Sequence, residues 1–160
     1  MQESLIHLIE VATWSGFAAL GFGILFNIPR SAMVTVFCLG FLGGFIKFLL
    51  TEFELNIIIA TFIAVIGIAI ISIPLAHKIH HPPVIFCVPP VIPMIPGYFA
   101  YKTVLSIMNF IFIETNLDKR IELIDAIYSN GFTMVFILIS IAVGISLPML
   151  ILRKTTVKNI

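Results

Sequence analysis

Long apolar stretches without a charged side chain constrain this chain more than any other feature of its sequence. Five runs contain no Asp, Glu, Lys or Arg: 11–29, 31–46, 55–77, 79–101 and 126–152. A transmembrane helix needs about 20 apolar residues, because the hydrocarbon core of a bilayer is about 30 Å thick. We therefore expect an all-α integral membrane protein with about five transmembrane helices. The predicted crossings are residues 6–26, 31–51, 56–76, 84–113 with an interruption, and 131–152.

The overall composition supports a membrane protein. The chain has 160 residues, of which 60% are hydrophobic and 11% charged, whereas about 25% are charged in a typical soluble domain. A soluble globule with so few charges could not cover itself with polar surface. We expect residues 1–160 to form a single transmembrane domain whose main surroundings are the lipid bilayer. No basic stripe with interleaved aromatic residues occurs, so nucleic acid is not expected as a partner.

The fourth apolar run contains the segment PPVIFCVPPVIPMIPG at residues 82–97. Each proline removes a backbone donor and costs about 3 kcal/mol inside a helix. Gly97 would permit a left-handed turn or a close backbone approach, and a helix can restart at Tyr98. Irregular backbone at membrane depth is tolerated only inside protein or beside a water-filled cavity. The sequence therefore predicts that the fourth helix is broken part-way through the membrane, at Pro89, Pro90, Pro93 and Pro96.

A helix break at this depth has a chemical use. The amides at the start of the second half-helix and its dipole favour an anion such as a carboxylate. The carbonyls freed upstream could receive an ammonium group or a cation. Secondary transporters hold their substrates near the midplane at such broken helices. The alternative is a re-entrant hairpin or a surface loop that is packed for structural reasons.

Further polar residues within the predicted crossings are candidates for contact with a substrate. Lys47 and Lys102 could offer positive charge to a carboxylate, or their side chains could extend to the outer interface. Glu10 could carry a proton, but an interfacial position is favoured. Four polar residues of the fourth crossing could line a path or join helices by hydrogen bonds: Tyr101, Thr103, Ser106 and Asn109. The predicted substrate-contacting set is Lys47, Pro89, Pro90, Pro93, Pro96, Gly97, Tyr98, Tyr101, Lys102 and Asn109.

Enzymatic and metal-binding functions find little support in the sequence. It contains no H-E-x-x-H, G-x-S-x-G, paired-carboxylate or phosphate-loop arrangement, so an enzyme is not expected. His77, His80 and His81 have no Cys, Asp or Glu beside them, which indicates a polar loop at the lipid headgroups. Cys38 and Cys87 lie inside crossings and are expected to be buried structural cysteines. Neither a metal nor a cofactor is predicted.

The distribution of basic residues predicts the orientation of the chain. Arg30 and Lys78 alternate with an acidic loop at Glu52 and Glu54 and with a mixed segment at 114–130. A basic tail follows the fifth crossing, with Arg153, Lys154 and Lys158. This pattern predicts that the N-terminus is outside and the C-terminus is in the cytoplasm. The membrane is expected to be the inner (plasma) membrane. Residues 116–131 contain an amphipathic pattern and should form an interfacial helix or extend the fourth crossing. Asn130–Gly131 should then interrupt the chain before the fifth crossing.

The proline segment also carries a resemblance to a known family. VPPVIPMIPGYFAYKT resembles the signature of the threonine/serine exporter family, and the glycine-rich LGFLGGFIKF and GFAALGFGILFNIPR support the likeness. In length the chain is similar to the short, separately encoded five-span subunit of that family. The resemblance implies export of threonine and serine, or of dicarboxylates such as succinate, by a homo- or hetero-oligomer with a longer partner subunit. The alternative is a structural or assembly subunit without its own substrate path.

Overall fold

The computed structural model describes residues 2–79 and 82–153, and within these ranges the chain is helical with short connections and no strand. The helices are α1 (Gln2–Leu25), α2 (Met33–Glu52), α3 (Ile57–Ile79), α4 (Pro83–Val91), α5 (Gly97–Phe112) and α6 (Leu117–Arg153). Single 3₁₀ turns at Arg30–Ala32 and Ile92–Met94 precede α2 and follow α4. Four residues used in the sequence analysis lie outside the described ranges: His80, His81, Lys154 and Lys158.

The five predicted crossings are confirmed as apolar helical segments of sufficient length. Helices α1, α2, α3 and α6 each pass this test alone, and α4 with its 3₁₀ turn passes together with α5 as one bent pair. The all-α class and the interruption of the fourth segment are therefore correct. The all-α class follows from the charge-free runs, and the interruption follows from the prolines within the fourth run.

Helix α6 differs from its predicted form. It is one continuous helix of 37 residues, about 55 Å long at 1.5 Å per residue, and it passes through Asn130 and Gly131 without ending. The Asn130 side chain donates to the Ala126 carbonyl at 2.7 Å, within the helix itself. A mid-helix glycine costs only about 1 kcal/mol, so this dipeptide does not break a helix that is apolar for most of its length. The predicted stop before the fifth crossing was wrong.

The helices group into two packing units. The first comprises the described residues up to Met94 and from Ser140 onwards, and α4 packs there against α1, α2 and α3. Its centre contains the fully buried side chains of Val36, Ile68 and Phe86, one from each of α2, α3 and α4. Since α4 is surrounded in this way, the segment that leads to the break is held by three other helices.

Small residues bring α1 and α2 into close contact. A Cβ atom on Gly40 would collide with the Cβ of Ala19, and one on Gly44 would lie 2.6 Å from the Cβ of Ser15. Transmembrane helices associate through such small residues because their backbones can then approach closely. Gly40 and Gly44 therefore have an architectural role in the packing of α1 against α2.

The second packing unit comprises Ile95–Ile139, that is, α5 and the first part of α6. The Thr103 side chain lies beside Gly131, where an added Cβ would be 3.6 Å from its Cγ2. Near the connection between the helices, the Arg120 guanidinium lies 4.2 Å from the centroid of the Phe110 ring. These contacts join α5 to α6 at two levels.

Candidate substrate site at the helix break

The backbone leaves the helical conformation at Ile95 and Pro96. Pro96 has φ −78° and ψ 57°, and the Gly97 amide donates to the Ile95 carbonyl at 2.8 Å. These are the features of an inverse γ-turn centred on Pro96. Helix α5 starts directly after it, and its first hydrogen bond runs from the Ala100 amide to the Pro96 carbonyl at 3.1 Å.

The irregular stretch is shorter than the sequence predicted, because Pro89 and Pro90 belong to the last turn of α4. Both are buried. The short helix α4 begins with Pro83, at a position where no amide donor is needed, and the fixed φ of proline suits a helix. Pro89 and Pro90 therefore leave the carbonyls of Ile85 and Phe86 without a helical donor, but they do not end the helix. Pro93, which is half-buried, lies in the 3₁₀ turn that follows.

Gly97 does not have the conformation that its sequence context suggested. No glycine of the described chain has a positive φ, and no atom lies within 4 Å of the position that a Gly97 Cβ would occupy. The prediction of a left-handed turn or a close backbone approach there was wrong. The γ-turn at Pro96 interrupts the helix without a left-handed residue, so the backbone conformation at Gly97 does not require glycine.

The start of α5 presents unpaired backbone donors. Proline has no side-chain acceptor, and Pro96 accordingly makes no side-chain cap. The amides of Tyr98 and Phe99 precede the first helical bond and have no acceptor within α5. Together with the positive end of the helix dipole, they favour a negatively charged group at this end of α5.

Lys47 lies at the other side of the break, in a role that the sequence did not predict. Its side chain is only 8% exposed, and its ammonium donates to the Met94 carbonyl at 3.4 Å. Met94 is the last residue of the 3₁₀ turn that extends α4. A cation there complements the negative end of the helix dipole. Lys47 is therefore bound to the residue that precedes the break.

The Met94 side chain packs against α2, the helix that carries Lys47. A Cβ on Gly43 would collide with the Met94 Cε and with the Ile68 Cδ1. Gly43 and Lys47 are four residues apart and so lie on one face of α2. This face receives the side chain of Met94 at Gly43 and its carbonyl at Lys47, which fixes the residue that precedes the break. The sequence analysis missed Met94, whereas Gly43 belongs to the glycine-rich segment LGFLGGFIKF that it singled out.

A polar stripe runs along α5 from the break. Tyr98, Lys102, Ser106 and Asn109 fall within about 80° of the helix circumference, since successive residues are about 100° apart. The Lys102 ammonium lies 5.6 Å from the centroid of the Tyr98 ring. Ser106 is buried and Asn109 half-buried, whereas Tyr98 and Lys102 are exposed.

The other polar residues of α5 lie on either side of this stripe. Tyr101 is 63% exposed. Thr103 faces Gly131, and its hydroxyl donates to the Phe99 carbonyl at 2.8 Å. Lys47 belongs to the first packing unit and Lys102 to the second. The candidate residues thus fall into two groups, one around Met94 and one along α5.

Glu10 is exposed on α1. Within the described residues, no group of three or more His, Cys, Asp or Glu side chains is arranged to hold a metal ion.

These features define the class of the protein. It is a multi-pass, all-helical membrane protein in which one apolar segment is discontinuous. A buried lysine binds the carbonyl before the break, and backbone amides without a helical acceptor follow it. The chain belongs to the threonine/serine exporter (ThrE) family, whose family model matches residues 11–151. The resemblance inferred from the proline segment is thereby confirmed.

One relative indicates how the chain compares with longer family members. An uncharacterized protein of Haemophilus influenzae is 31% identical over 153 residues, which cover 94% of this chain and 49% of the relative. The chain therefore spans about half the length of this curated relative. No solved structure matches the chain.

Proposed function

We propose that the chain is a membrane transporter subunit that exports small carboxylate-bearing metabolites, either threonine and serine or dicarboxylates such as succinate. The observation that carries this proposal is the γ-turn at Pro96 between two short helices. The helical piece before it is about 20 Å long and the piece after it about 24 Å. Each is shorter than a hydrocarbon core of about 30 Å, so a segment that crosses the membrane has its break inside it.

The groups around the break suit a substrate with a carboxylate. The Tyr98 and Phe99 amides can donate to the carboxylate, and Lys102 adds positive charge one turn further along α5. Lys47, by contrast, is already used to hold Met94. We therefore assign carboxylate binding to the start of α5 and a positioning role to Lys47.

A longer partner subunit is part of the proposal. The Haemophilus influenzae relative has about half of its length outside the matched region, and a separate subunit would supply the corresponding part here. We also propose that the complex lies in the inner membrane, with the N-terminus of this chain outside and its C-terminus in the cytoplasm. The competing proposal is an assembly subunit without its own substrate path.

An efflux assay with two matched variants separates these proposals. Cells that express the chain with and without the longer subunit are preloaded with radiolabelled threonine, serine or succinate, and release is followed over time. Pro96→Ala restores an amide and frees φ at the turn, so we expect efflux to fall by about tenfold or more, equivalent to at least about 1.4 kcal/mol. Gly21→Ala, in α1 and away from the break, is the control, because its Cβ would meet nothing within 4 Å.

The amounts of each variant in the membrane and in the complex must be equal for the comparison. Unchanged efflux in Pro96→Ala would show that the break is architectural and would favour the assembly subunit. Efflux of succinate without threonine or serine would assign the substrate class.

A further inference from the structure

A polar groove lies where α5 ends and α6 begins, within the second packing unit. Its volume is about 510 Å³, inside the range of ~300–1,000 Å³ that is typical of small-molecule sites. Its polar lining consists of Asn109, Glu114, Lys119 and Glu122. The charge-free run of α6 begins only at residue 126. The charged part of the groove therefore lies beyond the apolar stretch of α6, where water and solutes can reach it.

The charges in the groove are only weakly satisfied by one another. One oxygen of Glu114 accepts the Asn116 amide at 3.0 Å, and the other lies 3.8 Å from the Lys119 ammonium. The Lys119 side chain is 66% exposed, and an exposed pair at this distance contributes little stability. Within residues 2–79 and 82–153, the Glu122 carboxylate has no hydrogen-bond or ion-pair partner. An ammonium and a carboxylate are thus both available in one groove.

This combination matches a ligand that carries one charge of each sign. We propose that the groove is a second site for a zwitterionic α-amino acid, whose carboxylate is bound by Lys119 and whose ammonium is bound by Glu122. The inference rests on the proposed function and deepens it, because it selects free amino acids over dicarboxylates. A dicarboxylate would bring a second negative charge towards Glu114 and Glu122, and such like-charge contacts are unfavourable.

Helix α5 connects this groove to the break. Asn109 is the last residue of the polar stripe on α5 and also lines the groove. It lies twelve residues after Gly97, a distance of about 18 Å along the helix at 1.5 Å per residue. The groove is therefore placed to receive an amino acid that moves along the stripe away from the break.

Equilibrium binding to the full-length chain in lipid nanodiscs tests the proposal. The probe is radiolabelled L-threonine, and binding is compared in the wild type and in the Pro96→Ala background, where the site at the break is disturbed. We expect Glu122→Gln and Lys119→Met each to weaken binding in the Pro96→Ala background by about tenfold or more, because each removes a charged hydrogen-bond partner. Asp125→Asn is the matched control, since it removes a charge from the same helix outside the groove.

Two ligand controls check the charge requirement. L-threonine methyl ester lacks the carboxylate and succinate lacks the ammonium, so both should compete about tenfold or more weakly than L-threonine. Equal competition by succinate, or equal threonine binding in the groove variants and in Asp125→Asn, would overturn the inference.

The proposed function is tested separately, by the efflux assay. Loss of efflux in Pro96→Ala with no effect of the groove variants on binding would reject the groove and leave the transporter proposal standing. Threonine binding that depends on Glu122 in a chain without any efflux would support the groove and reject transport.

Discussion

The side-chain ammonium of Lys47 lies 3.4 Å from the carbonyl oxygen of Met94, the residue that precedes the break. The two residues are 47 positions apart in the chain, so this bond fastens α2 to the end of the α4 segment. A lysine within an apolar helix is costly unless it finds a polar partner. The partner here is a carbonyl at a helix end, where a positive charge is favoured. Lys47 is thereby a positioning residue for the break.

Replacement of Lys47 tests this positioning role. Lys47→Met keeps most of the side-chain volume but leaves the buried Met94 carbonyl without its donor. We expect the free energy of unfolding to fall by about 1–3 kcal/mol, the cost of an unsatisfied buried polar group, and efflux to fall with it. Thermal unfolding in detergent and efflux from cells are the measurements. Lys78→Met, at an exposed position near the end of α3, is the control, and equal behaviour of the two variants would contradict the role.

The contact between α1 and α2 predicts opposite outcomes for two glycines. A Cβ at Gly40 would collide with Ala19 and lie 3.0 Å from the Ser15 carbonyl, whereas a Cβ at Gly21 would meet nothing within 4 Å. Gly40→Ala should therefore lower the free energy of unfolding by about 1–3 kcal/mol through overpacking. Gly21→Ala should be neutral or stabilising by up to about 1 kcal/mol, because alanine favours helix. The thermal midpoints of the two variants, measured side by side, decide the matter. Similar midpoints would mean that the helices do not meet at Gly40.

Thiol labelling tests the predicted orientation. Leu117 is 73% exposed at the start of α6, and Lys78 is exposed at the opposite end of the predicted topology. A membrane-impermeant maleimide added to intact cells should label Leu117→Cys and should label Lys78→Cys only after permeabilisation. Cys87 is buried, whereas Cys38 is exposed, so the prediction that both cysteines are buried was wrong for Cys38. Because Cys38 lies in the middle of the charge-free run 31–46, a water-soluble reagent should not reach it in the bilayer, and neither native thiol should be labelled. The reverse labelling pattern would place the N-terminus in the cytoplasm.

Arg120 of α6 contacts both α5 and the connection between the two helices. The Arg120 guanidinium stacks on Phe110 at 4.2 Å and donates to the Glu114 carbonyl at 3.4 Å. A planar guanidinium can make both contacts, whereas a lysine ammonium is a point charge. Arg120→Lys should cost about 0.5–1 kcal/mol and speed amide hydrogen exchange around residue 114. Arg30→Lys, at an exposed site, should leave exchange there unchanged. Unaltered exchange in Arg120→Lys would remove the stacking contact from the list of stabilising interactions.

The number and type of segments could be predicted from the sequence because bilayer thickness acts on local composition. The charge-free runs identified five apolar helices, and the prolines placed the interruption in the fourth. The position of the break within the proline segment was less predictable. Whether a helix ends at Pro89 depends on how many backbone hydrogen bonds the nine-residue helix α4 keeps and on how its neighbours pack against it. It also depends on the γ-turn at Pro96. Neither factor is visible in residue spacing.

Burial of Lys47 depends on a contact between distant parts of the chain, yet a local signal was present. Lys47 lies seven residues after Gly40 and four after Gly43, so it continues the glycine face of α2 that packs inward. A lysine on the same helix face as closely packed glycines indicates that its side chain has a buried partner, rather than that it extends to the membrane surface. The partner itself, a main-chain oxygen of Met94, carries no sequence signature.

The γ-turn at Pro96 has a consequence for how such a protein would operate. Pro93 and Pro96 have no amide hydrogen in any conformation. No rearrangement can therefore turn residues 83–112 into one helix with all of its backbone hydrogen bonds. The carbonyls that amides at these two positions would otherwise bond therefore lack that donor in every state of the protein. A substrate that reaches this point would find backbone polar groups that already lack helical partners. The helix would therefore not have to unwind before the substrate binds.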